Sequence, residues 1–268
     1  MPKTRLDLRL VEVGLAETRS KAQALVLAGQ VHINGRRETK AGAMVQETDV
    51  VGVEGPKLPY VSRGGLKLSH ALAQFQIDPT GWDVVDVGAS TGGFTDCWLQ
   101  SGAHSVYAVD VGYGQLDWRL RSDPRVVVRE RLNARWLTLA QLDRGNPLDA
   151  ASIDASFIGI ELLLKPLRAM LSPLGVVVGL IKPQFEAGPG HLGKHGVVRD
   201  QTVHRQVLKA VLDKAAALGF GVLGLTVSPV RGPEGNIEFL GYWTMRGDSV
   251  EIDVSRIVDE AWQGGASE

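Results

Sequence analysis

Cysteine is almost absent from this sequence: Cys97 is the only one among 268 residues, which excludes an internal disulfide and a thiolate metal cluster. Long apolar runs are also missing, because the longest, over residues 175–181, falls far short of the ~20 residues of a membrane-spanning helix. Charged side chains interrupt residues 1–9, so we expect no secretory signal. The sequence therefore predicts a cytoplasmic globular protein with no metal site and no membrane partner.

The charges are unevenly distributed along the chain. Hydrophobic residues make up 44% and charged residues 22%, which argues against a disordered or collagen-like chain. Up to Leu68 there are eleven Lys and Arg against seven Asp and Glu, a net charge of +4. The rest of the chain carries 18 Lys and Arg against 23 Asp and Glu, a net charge of −5. This asymmetry favours a small basic module that contacts nucleic acid, joined to a larger acidic one. A chance cluster of surface charges would give the same count.

The basic part of the sequence contains short helix and strand signals. Apolar residues recur at helical spacing over residues 6–13, and Thr18 offers an N-cap for a second helix. The dipeptide Asn34-Gly35 predicts a tight hairpin, and residues 50–53 can supply a later strand. About fifty residues bury little surface, so we expect only a small core.

Seven basic side chains would lie on this small unit. They are Arg5, Arg9, Arg19, Lys21, Arg36, Arg37 and Lys40. A shared positive face would attract RNA phosphates through counterion release. The ordered set of Arg5-Leu6-Asp7, Gly14, Thr18-Arg19, Ala22, Gly29, Val31 and Ile33-Asn34-Gly35 resembles an S4 RNA-binding domain. The resemblance implies RNA binding through Arg5, Arg9, Arg19, Lys21, Arg36 and Arg37, and a basic adaptor that binds protein is the alternative.

Prolines mark a boundary after this unit. Pro56 and Pro59 predict a short, stiff linker over 56–61, which separates a domain of residues 1–55 from one of residues 62–268. In the larger domain, apolar strand candidates alternate with helical patterns, which predicts an α/β sheet covered by helices on both faces. The candidates are residues 83–87, 105–109, 125–128, 176–181, 221–227 and 237–243, with a weaker one at 149–153.

The first of these strands runs into a glycine-rich turn, DVGASTGGF over residues 86–94. Glycines at a strand-to-helix turn let a ligand approach the backbone, and Asp110, at the end of the next strand, is placed to accept ribose hydroxyls. The spacing differs from the dinucleotide fingerprint. It resembles motif I of class I S-adenosylmethionine-dependent methyltransferases, although a glycine turn can also serve only to pack a helix on a strand.

The methyltransferase resemblance implies a Rossmann-like fold with a seven-stranded, mostly parallel sheet and S-adenosyl-L-methionine as cofactor. Asp86 would stabilise the turn or contact the methionine part of the cofactor, and Asn133 would contact its adenine. The cofactor-binding residues implied are Asp86, Gly88, Ser90, Gly92, Gly93, Asp110 and Asn133.

Four further residues carry candidate chemistry. Methylation of a ribose hydroxyl requires that its proton be removed or its developing oxyanion be stabilised, which a lysine oriented by carboxylates can do. Lys67, Asp154, Lys182 and Glu238 supply such a set. Taken singly, each has an ordinary structural interpretation. Lys67 could be a surface-helix residue and Asp154 a helix cap. Lys182 could simply end a strand, and Glu238 could face solvent from a strand.

The order of these four residues is that of the FtsJ-like ribose 2′-O-methyltransferases. Four strings sharpen the resemblance to the TlyA family, historically called hemolysin-like: VSRGGLKL at 61–68, DVGASTGGFT at 86–95, DVGYGQL at 110–116 and IKPQFE at 181–186. The resemblance to this family implies methylation of cytidine 2′-hydroxyls in ribosomal RNA. The implied partner is therefore ribosomal RNA within ribosomal subunits. Lys182 would be the base or oxyanion partner, Lys67 and Glu238 would position the ribose, and Asp154 would orient the lysines.

Two local features depart from the family or stay ambiguous. Ser152-Ile153 is more polar than the usual strand, and Gly159-Ile160 replaces the usual Ser-Leu, which casts doubt on local packing more than on chemistry. Glycines predict a flexible loop over residues 183–200, which either closes over the substrate or only connects.

Three other functions stay open from the residues alone. The chain could be a non-catalytic RNA-binding or ribosome-assembly factor that keeps a relic pocket. It could be a membrane-lytic protein, although a spanning or amphipathic segment is missing. It could also be a small-molecule methyltransferase with an incidental basic tail.

Overall fold

The computed structural model describes residues 3–16, 18–27, 29–53 and 58–264. The chain forms two compact units, Met1–Lys57 and Leu58–Glu268. Within the described ranges, no helix has both the length and the apolar character needed to span a membrane.

Among its described residues, the first unit combines two helices with five short strands. These are β1 Lys3–Arg5, α1 Leu6–Glu12, α2 Arg19–Leu27, β2 Val31–Ile33, β3 Arg36–Glu38, β4 Met44–Gln46 and β5 Val51–Val53. Strand β2 pairs antiparallel with β3 and β5, and β1 pairs antiparallel with β4. The predicted cap is confirmed, because the Thr18 hydroxyl accepts from the Lys21 N–H at 3.2 Å. The predicted hairpin is also confirmed, with left-handed φ of 50° at Asn34 and 76° at Gly35.

The second unit contains seven strands and seven α-helices among its described residues. They are α3 Gly64–Gln74, β6 Asp83–Val87, α4 Gly93–Gln100, β7 Ser105–Val109, α5 Trp118–Arg121, β8 Val126–Arg129, β9 Leu148–Ile153, α6 Glu161–Met170, β10 Leu171–Ile181, α7 Pro183–Glu186, α8 Gln201–Ala217, β11 Gly221–Val227, β12 Phe239–Thr244 and α9 Val254–Gln263. The sheet order is β11-β12-β10-β9-β6-β7-β8. Strands β8, β7, β6, β9 and β10 pair in parallel, and β12 is antiparallel to both of its neighbours. The predicted seven-stranded, mostly parallel sheet is confirmed.

Apolar side chains cover both faces of this sheet. One core includes Leu164 of α6, Val207 of α8 and Val258 of α9. The other includes Leu68 of α3 and Trp98 of α4. A sheet covered on both faces leaves the carboxyl ends of its parallel strands as the place where a ligand can bind.

The weakest strand candidate lies at the centre of the sheet. Strand β9 pairs in parallel with β6 on one side and β10 on the other. Its hydrophobic signal in the sequence is weak because Ala150 and Ala151 have small side chains. Both residues are nevertheless fully buried, since helices cover both faces of the sheet.

The last strand begins later than predicted. Strand β12 starts at Phe239 rather than at residue 237, so Glu238 precedes the strand. Glu238 is only 1% exposed, and the interpretation of this residue as solvent-facing is therefore wrong.

The predicted linker overlaps the second unit. Residues 56 and 57 lie outside the described residues. The Tyr60 ring packs against the backbone of Gly65, where a Cβ atom would come within 2.2 Å of the ring. The Val61 N–H donates to the Asp96 carboxylate at 2.8 Å. Residues 60 and 61 thus pack on α3 and α4.

The stretch over residues 183–200 contains more regular structure than predicted. Helix α7 directly follows Lys182, and two 3-10 turns, Pro189–His191 and Lys194–Gly196, come after it. Val197 and Val198 are buried. Because these two valines are buried, this stretch is less irregular than its glycine content alone predicts.

Candidate active site

The glycine-rich turn after β6 follows a path that side chains would block. Gly88 has φ +82°, and a Cβ atom there would lie 2.7 Å from the Asp154 carbonyl oxygen. Gly92 has φ +96°, and its Cβ would lie 2.2 Å from a Leu120 methyl carbon. Both positions require glycine for conformation and for space. The turn is thereby pressed against the loop that follows β9.

Asp86 stabilises this turn from behind. It is 0% exposed, and its carboxylate accepts from the Thr95 hydroxyl at 2.7 Å and the Ser152 hydroxyl at 2.8 Å. Burial raises the pKa of Asp86 to about 6, against the opposing effect of the two hydroxyl donors. The Trp98 indole N–H donates to Ser152 at 2.9 Å. The polar Ser152, which departs from the family pattern, therefore belongs to a buried hydrogen-bond chain.

Asp110 and Asn133 lie on a cavity of about 350 Å³ beside the turn. The Asp110 carboxylate accepts from the Ser90 N–H at 2.8 Å and from the Gly112 N–H at 2.7 Å. The Asn133 side chain accepts from the Arg135 N–H at 3.0 Å and so caps a 3-10 turn. Both side chains are held in place by backbone N–H groups. Gly88 and Ser90 complete this wall of the cavity.

The four residues with candidate chemistry form two ion pairs. The Lys67 ammonium contacts the Glu238 carboxylate at 2.6 Å, and the Lys182 ammonium contacts the Asp154 carboxylate at 2.8 Å. Lys67 and Lys182 are 9% and 8% exposed, so both ammonium groups are largely withdrawn from solvent. Lys67 is thus buried, and its interpretation as a surface-helix residue is wrong.

The ion pairs adjoin the glycine-rich turn. Lys67, Lys182 and Asp154 line an open cleft of about 550 Å³. Gly88, Ser90 and Asp154 line both this cleft and the smaller cavity of Asp110 and Asn133. The two spaces therefore meet at the turn. Within the described ranges, His, Cys, Asp and Glu side chains form no group of three that could hold a metal ion.

Two polar contacts of this cleft were not predicted. The Ser156 hydroxyl lies 3.0 Å from the Lys182 ammonium, and the Gln184 amide donates to Glu238 at 3.2 Å. Both residues come two positions after a candidate residue, in segments that leave a strand end. That position is the signal that could have identified them.

Phe157 is a third feature that the sequence did not reveal. It is 89% exposed, has a left-handed φ of 63°, and its ring centroid lies 4.8 Å from that of Phe185. Its ring also lines the smaller cavity. An exposed aromatic side chain with a left-handed backbone therefore lies on the wall of the smaller cavity.

In the first unit, a buried carboxylate holds two of the six predicted RNA-binding residues. Asp7 is 0% exposed and accepts from Arg5, from Arg19 and from Gln23 at 2.8–2.9 Å. The hydrogen bond from Arg5 is the main reason that the pKa of Asp7 is lowered. Arg9 pairs with Glu12 at 2.9 Å. These three arginines stabilise the unit itself.

The other three predicted RNA-binding residues are exposed. Arg36 and Arg37 lie on β3, and Lys21 lies in the first turns of α2. The Arg37 guanidinium packs over Gly29, where a Cβ atom would lie 1.8 Å from it. The structure thus pairs Arg5, Arg9 and Arg19 with carboxylates of the unit and places Lys21, Arg36 and Arg37 at exposed positions.

Comparisons with known proteins agree with this architecture. A model of the FtsJ-like methyltransferase family matches residues 60–244, and an S4 domain model matches residues 4–51. "Putative rRNA methyltransferase YqxC" of Bacillus subtilis is 48% identical over 265 residues, which cover 97% of this chain and 94% of that protein. "16S/23S rRNA (cytidine-2'-O)-methyltransferase TlyA" of Mycobacterium tuberculosis is 43% identical over 238 residues and 88% of each chain.

A solved structure is similar over the full length. It is described as "Putative hemolysin from Streptococcus thermophilus", with 42% identity, a TM-score of 0.79 and coverage of 100% of both chains. The chain therefore belongs to the TlyA family of FtsJ-like methyltransferases and carries an S4 domain, which confirms both resemblances predicted from its motifs.

Proposed function

We propose that this chain transfers a methyl group from S-adenosyl-L-methionine to the 2′-hydroxyl of a cytidine in ribosomal RNA. The names of its relatives support the substrate. The observation that carries the proposal is the placement of two lysine–carboxylate pairs, Lys67–Glu238 and Lys182–Asp154, beside a glycine-rich turn. Two fixed ammonium groups next to a cofactor cradle suit a reaction in which negative charge develops on a hydroxyl oxygen.

The smaller cavity fits the proposed cofactor. Gly88 lines this cavity, and the Asp110 carboxylate can accept hydrogen bonds from ribose hydroxyls. Asn133 stands on the same wall, where it would face the adenine. Ser90, Gly92 and Gly93 shape the turn, which Asp86 supports from behind. Bound here, S-adenosyl-L-methionine supplies a methyl group activated by its sulfonium.

Lys182 is the group we assign to the attacking oxygen. An ammonium has three N–H donors, and two of them are directed to Asp154 and Ser156. The third would donate to the ribose 2′-oxygen. As this oxygen bonds to the methyl carbon, the bond between that carbon and the sulfonium would break and leave a neutral thioether, while the hydroxyl proton would pass to solvent in the open cleft. Lys182 then stabilises the oxyanion, and Asp154 fixes the direction of the ammonium.

Lys67 and Glu238 are assigned to positioning of the ribose. Glu238 is buried and holds the Lys67 ammonium at 2.6 Å, so the remaining donors of Lys67 have a defined direction into the cleft. Correct placement of two reacting atoms contributes a large share of the rate of such bimolecular transfers.

We assign RNA docking to residues 1–55 and catalysis to residues 62–268, and of the predicted linker 56–61 we assign residues 60 and 61 to the catalytic unit, on which they pack. The six residues Arg5, Arg9, Arg19, Lys21, Arg36 and Arg37 would contribute positive charge to a contact with structured RNA in a ribosomal subunit. The target nucleotide would flip out, because a stacked base pair obstructs in-line approach to its ribose. Because ribosomal subunits are the proposed substrate, we infer a cytoplasmic location.

The test is transfer of labelled methyl groups to isolated small and large ribosomal subunits, followed by mapping of 2′-O-methyl groups. We expect label on a cytidine ribose, and none when that nucleotide is replaced by 2′-deoxycytidine. Label on a base, or no label on either subunit, would contradict the proposal. Unchanged activity after deletion of residues 1–55 would favour a small-molecule substrate.

A further inference from the structure

Gln184 joins the two halves of the candidate site. It lies on α7, two residues after Lys182, and is only 9% exposed. Its side-chain amide donates to one Glu238 carboxylate oxygen at 3.2 Å, while the other oxygen accepts from Lys67 at 2.6 Å. Each oxygen of Glu238 therefore has its own donor.

The backbone at Gly232 also restricts the Glu238 carboxylate. A Cβ atom at Gly232 would lie 2.2 Å from the oxygen that accepts from Gln184. Glu238 is thus confined between a chain segment without a side chain and the Gln184 amide. Helix α7 begins directly after Lys182 and carries Gln184, so it is connected to both ion pairs.

Stability alone does not account for a glutamine at this position. Among the described residues, the buried Gln184 side-chain oxygen has no hydrogen-bond partner. An unsatisfied buried polar atom is unfavourable. An apolar residue of similar length would avoid that cost, so the contact from the amide to Glu238 is the evident use of the side chain.

We propose that Gln184 is a positioning residue for methyl transfer: it holds Glu238 on Lys67 and fixes the distance between that pair and the Lys182–Asp154 pair. The inference rests on the proposed function. Gln184 does not contact the reacting atoms in this scheme. Its effect reaches the substrate through Glu238 and Lys67.

Two substitutions separate positioning from packing. Gln184→Met keeps the length and removes the donor. We expect kcat to fall about 10- to 100-fold, as for loss of a hydrogen bond to a charged group, with an unchanged Kd for S-adenosylhomocysteine. Gln206 is exposed on α8, so Gln206→Met is the matched control and should retain full activity.

Gln184→Glu gives a pH signature that packing does not. The new carboxyl faces Glu238, which is paired with Lys67. The other charged groups of the adjoining cleft are Arg63, the Lys182–Asp154 pair, Arg231 and Glu234. When both this carboxyl and Glu238 are charged, they repel each other. When the new carboxyl is protonated, its O–H can donate to Glu238 as the glutamine amide does. Relative to wild type, the variant should be much less active at about pH 8 than at about pH 6.

Several results would overturn the inference. These are full activity of Gln184→Met, a loss in Gln184→Glu that is equal at both pH values, or failure of this nearly isosteric variant to fold at the lower pH. Crystal structures provide a readout that does not need an RNA substrate. In Gln184→Met the Lys67–Glu238 contact should lengthen, and a contact that stays as in wild type would refute positioning even if the wild-type protein methylates no RNA.

Discussion

The Lys182 ammonium and the Asp154 carboxylate form an ion pair of 2.8 Å just beyond the carboxyl ends of two adjacent parallel strands, β10 and β9. This placement follows from topology, because neighbouring parallel strands end at the same edge of a sheet. The residues are 28 positions apart in the sequence, yet each needs only one step beyond its strand to meet the other. The rigid sheet thus fixes the lysine assigned to the reacting oxygen.

Substitution of Lys182 by alanine should remove transfer and leave cofactor binding almost intact. Lys182 lines the larger cleft, while Asp110 and Asn133, which are assigned to the cofactor, line only the smaller cavity. Loss of a group that stabilises transition-state charge costs about 10²–10³ in kcat or more. Labelled-methyl transfer measures the rate, and calorimetry with S-adenosylhomocysteine measures affinity. The exposed Lys165→Ala is the control, and turnover retained by Lys182→Ala would contradict the assigned role.

Gly88 and Gly114 allow a test of whether close approach matters at the turn. Both have left-handed φ, +82° and +70°, so alanine strains both backbones. Only at Gly88 would the new Cβ atom meet another group, the Asp154 carbonyl oxygen at 2.7 Å; around Gly114 there is nothing within 4 Å. We expect Gly88→Ala to lower the free energy of unfolding by about 1–3 kcal/mol and to weaken cofactor binding.

Gly114→Ala should cost about 1 kcal/mol from backbone strain and leave cofactor affinity near that of wild type. Thermal unfolding and binding of S-adenosylhomocysteine, measured on both variants, decide the matter. Equal affinities in the two variants would show that the contact between the turn and the Asp154 carbonyl does not shape the cofactor site.

The strands and their order in the chain could be predicted because their apolar patterns are local. Residues 83–87, 105–109 and 221–227 were predicted with the bounds that the structure shows. The centre of the sheet was fainter, since Ala150 and Ala151 carry little hydrophobic signal although both are fully buried. Burial on two faces, rather than local pattern, makes that segment a strand.

The environment of single side chains could not be predicted in the same way. Glu238 looked solvent-facing because alternation assumes that the strand already began at residue 237. Its burial depends on Lys67, which is 171 positions away in the sequence, and on the loop at Gly232. In the first unit, Asp7 forms ion pairs with Arg5 and Arg19, a pairing that a count of basic residues does not reveal.

The division of the basic residues predicts two kinds of variant in the first unit. Arg36 is exposed on β3, so Arg36→Gln should weaken RNA binding, reduce the salt dependence by about one counterion and leave unfolding unchanged. Arg19 donates to the buried Asp7, so Arg19→Gln should also destabilise the protein, by about 1 kcal/mol. Filter binding at several salt concentrations and urea unfolding measure the two effects. Identical unfolding of both variants would contradict this division.

His204 makes the stability of the second unit depend on pH. The side chain is 0% exposed between α8 and α9, and burial lowers its pKa to about 4 from 6.5, against the attraction of Asp200. The Trp262 indole N–H donates to Nδ1 at 3.0 Å, so this nitrogen is an acceptor and the ring is neutral. A proton on Nδ1 would break that hydrogen bond.

A histidine kept neutral by folding takes up its proton more readily in the unfolded chain. Its contribution to stability is complete above about pH 6.5 and is lost as the pH falls toward about 4, at up to roughly 1.4 kcal/mol per pH unit. His204→Asn keeps an acceptor near Trp262 and removes the titration. Urea unfolding between about pH 7 and pH 5 should therefore show a smaller fall in stability for this variant than for wild type. The exposed His191→Asn is the control, and a wild-type slope retained in His204→Asn would place the pH dependence on another group.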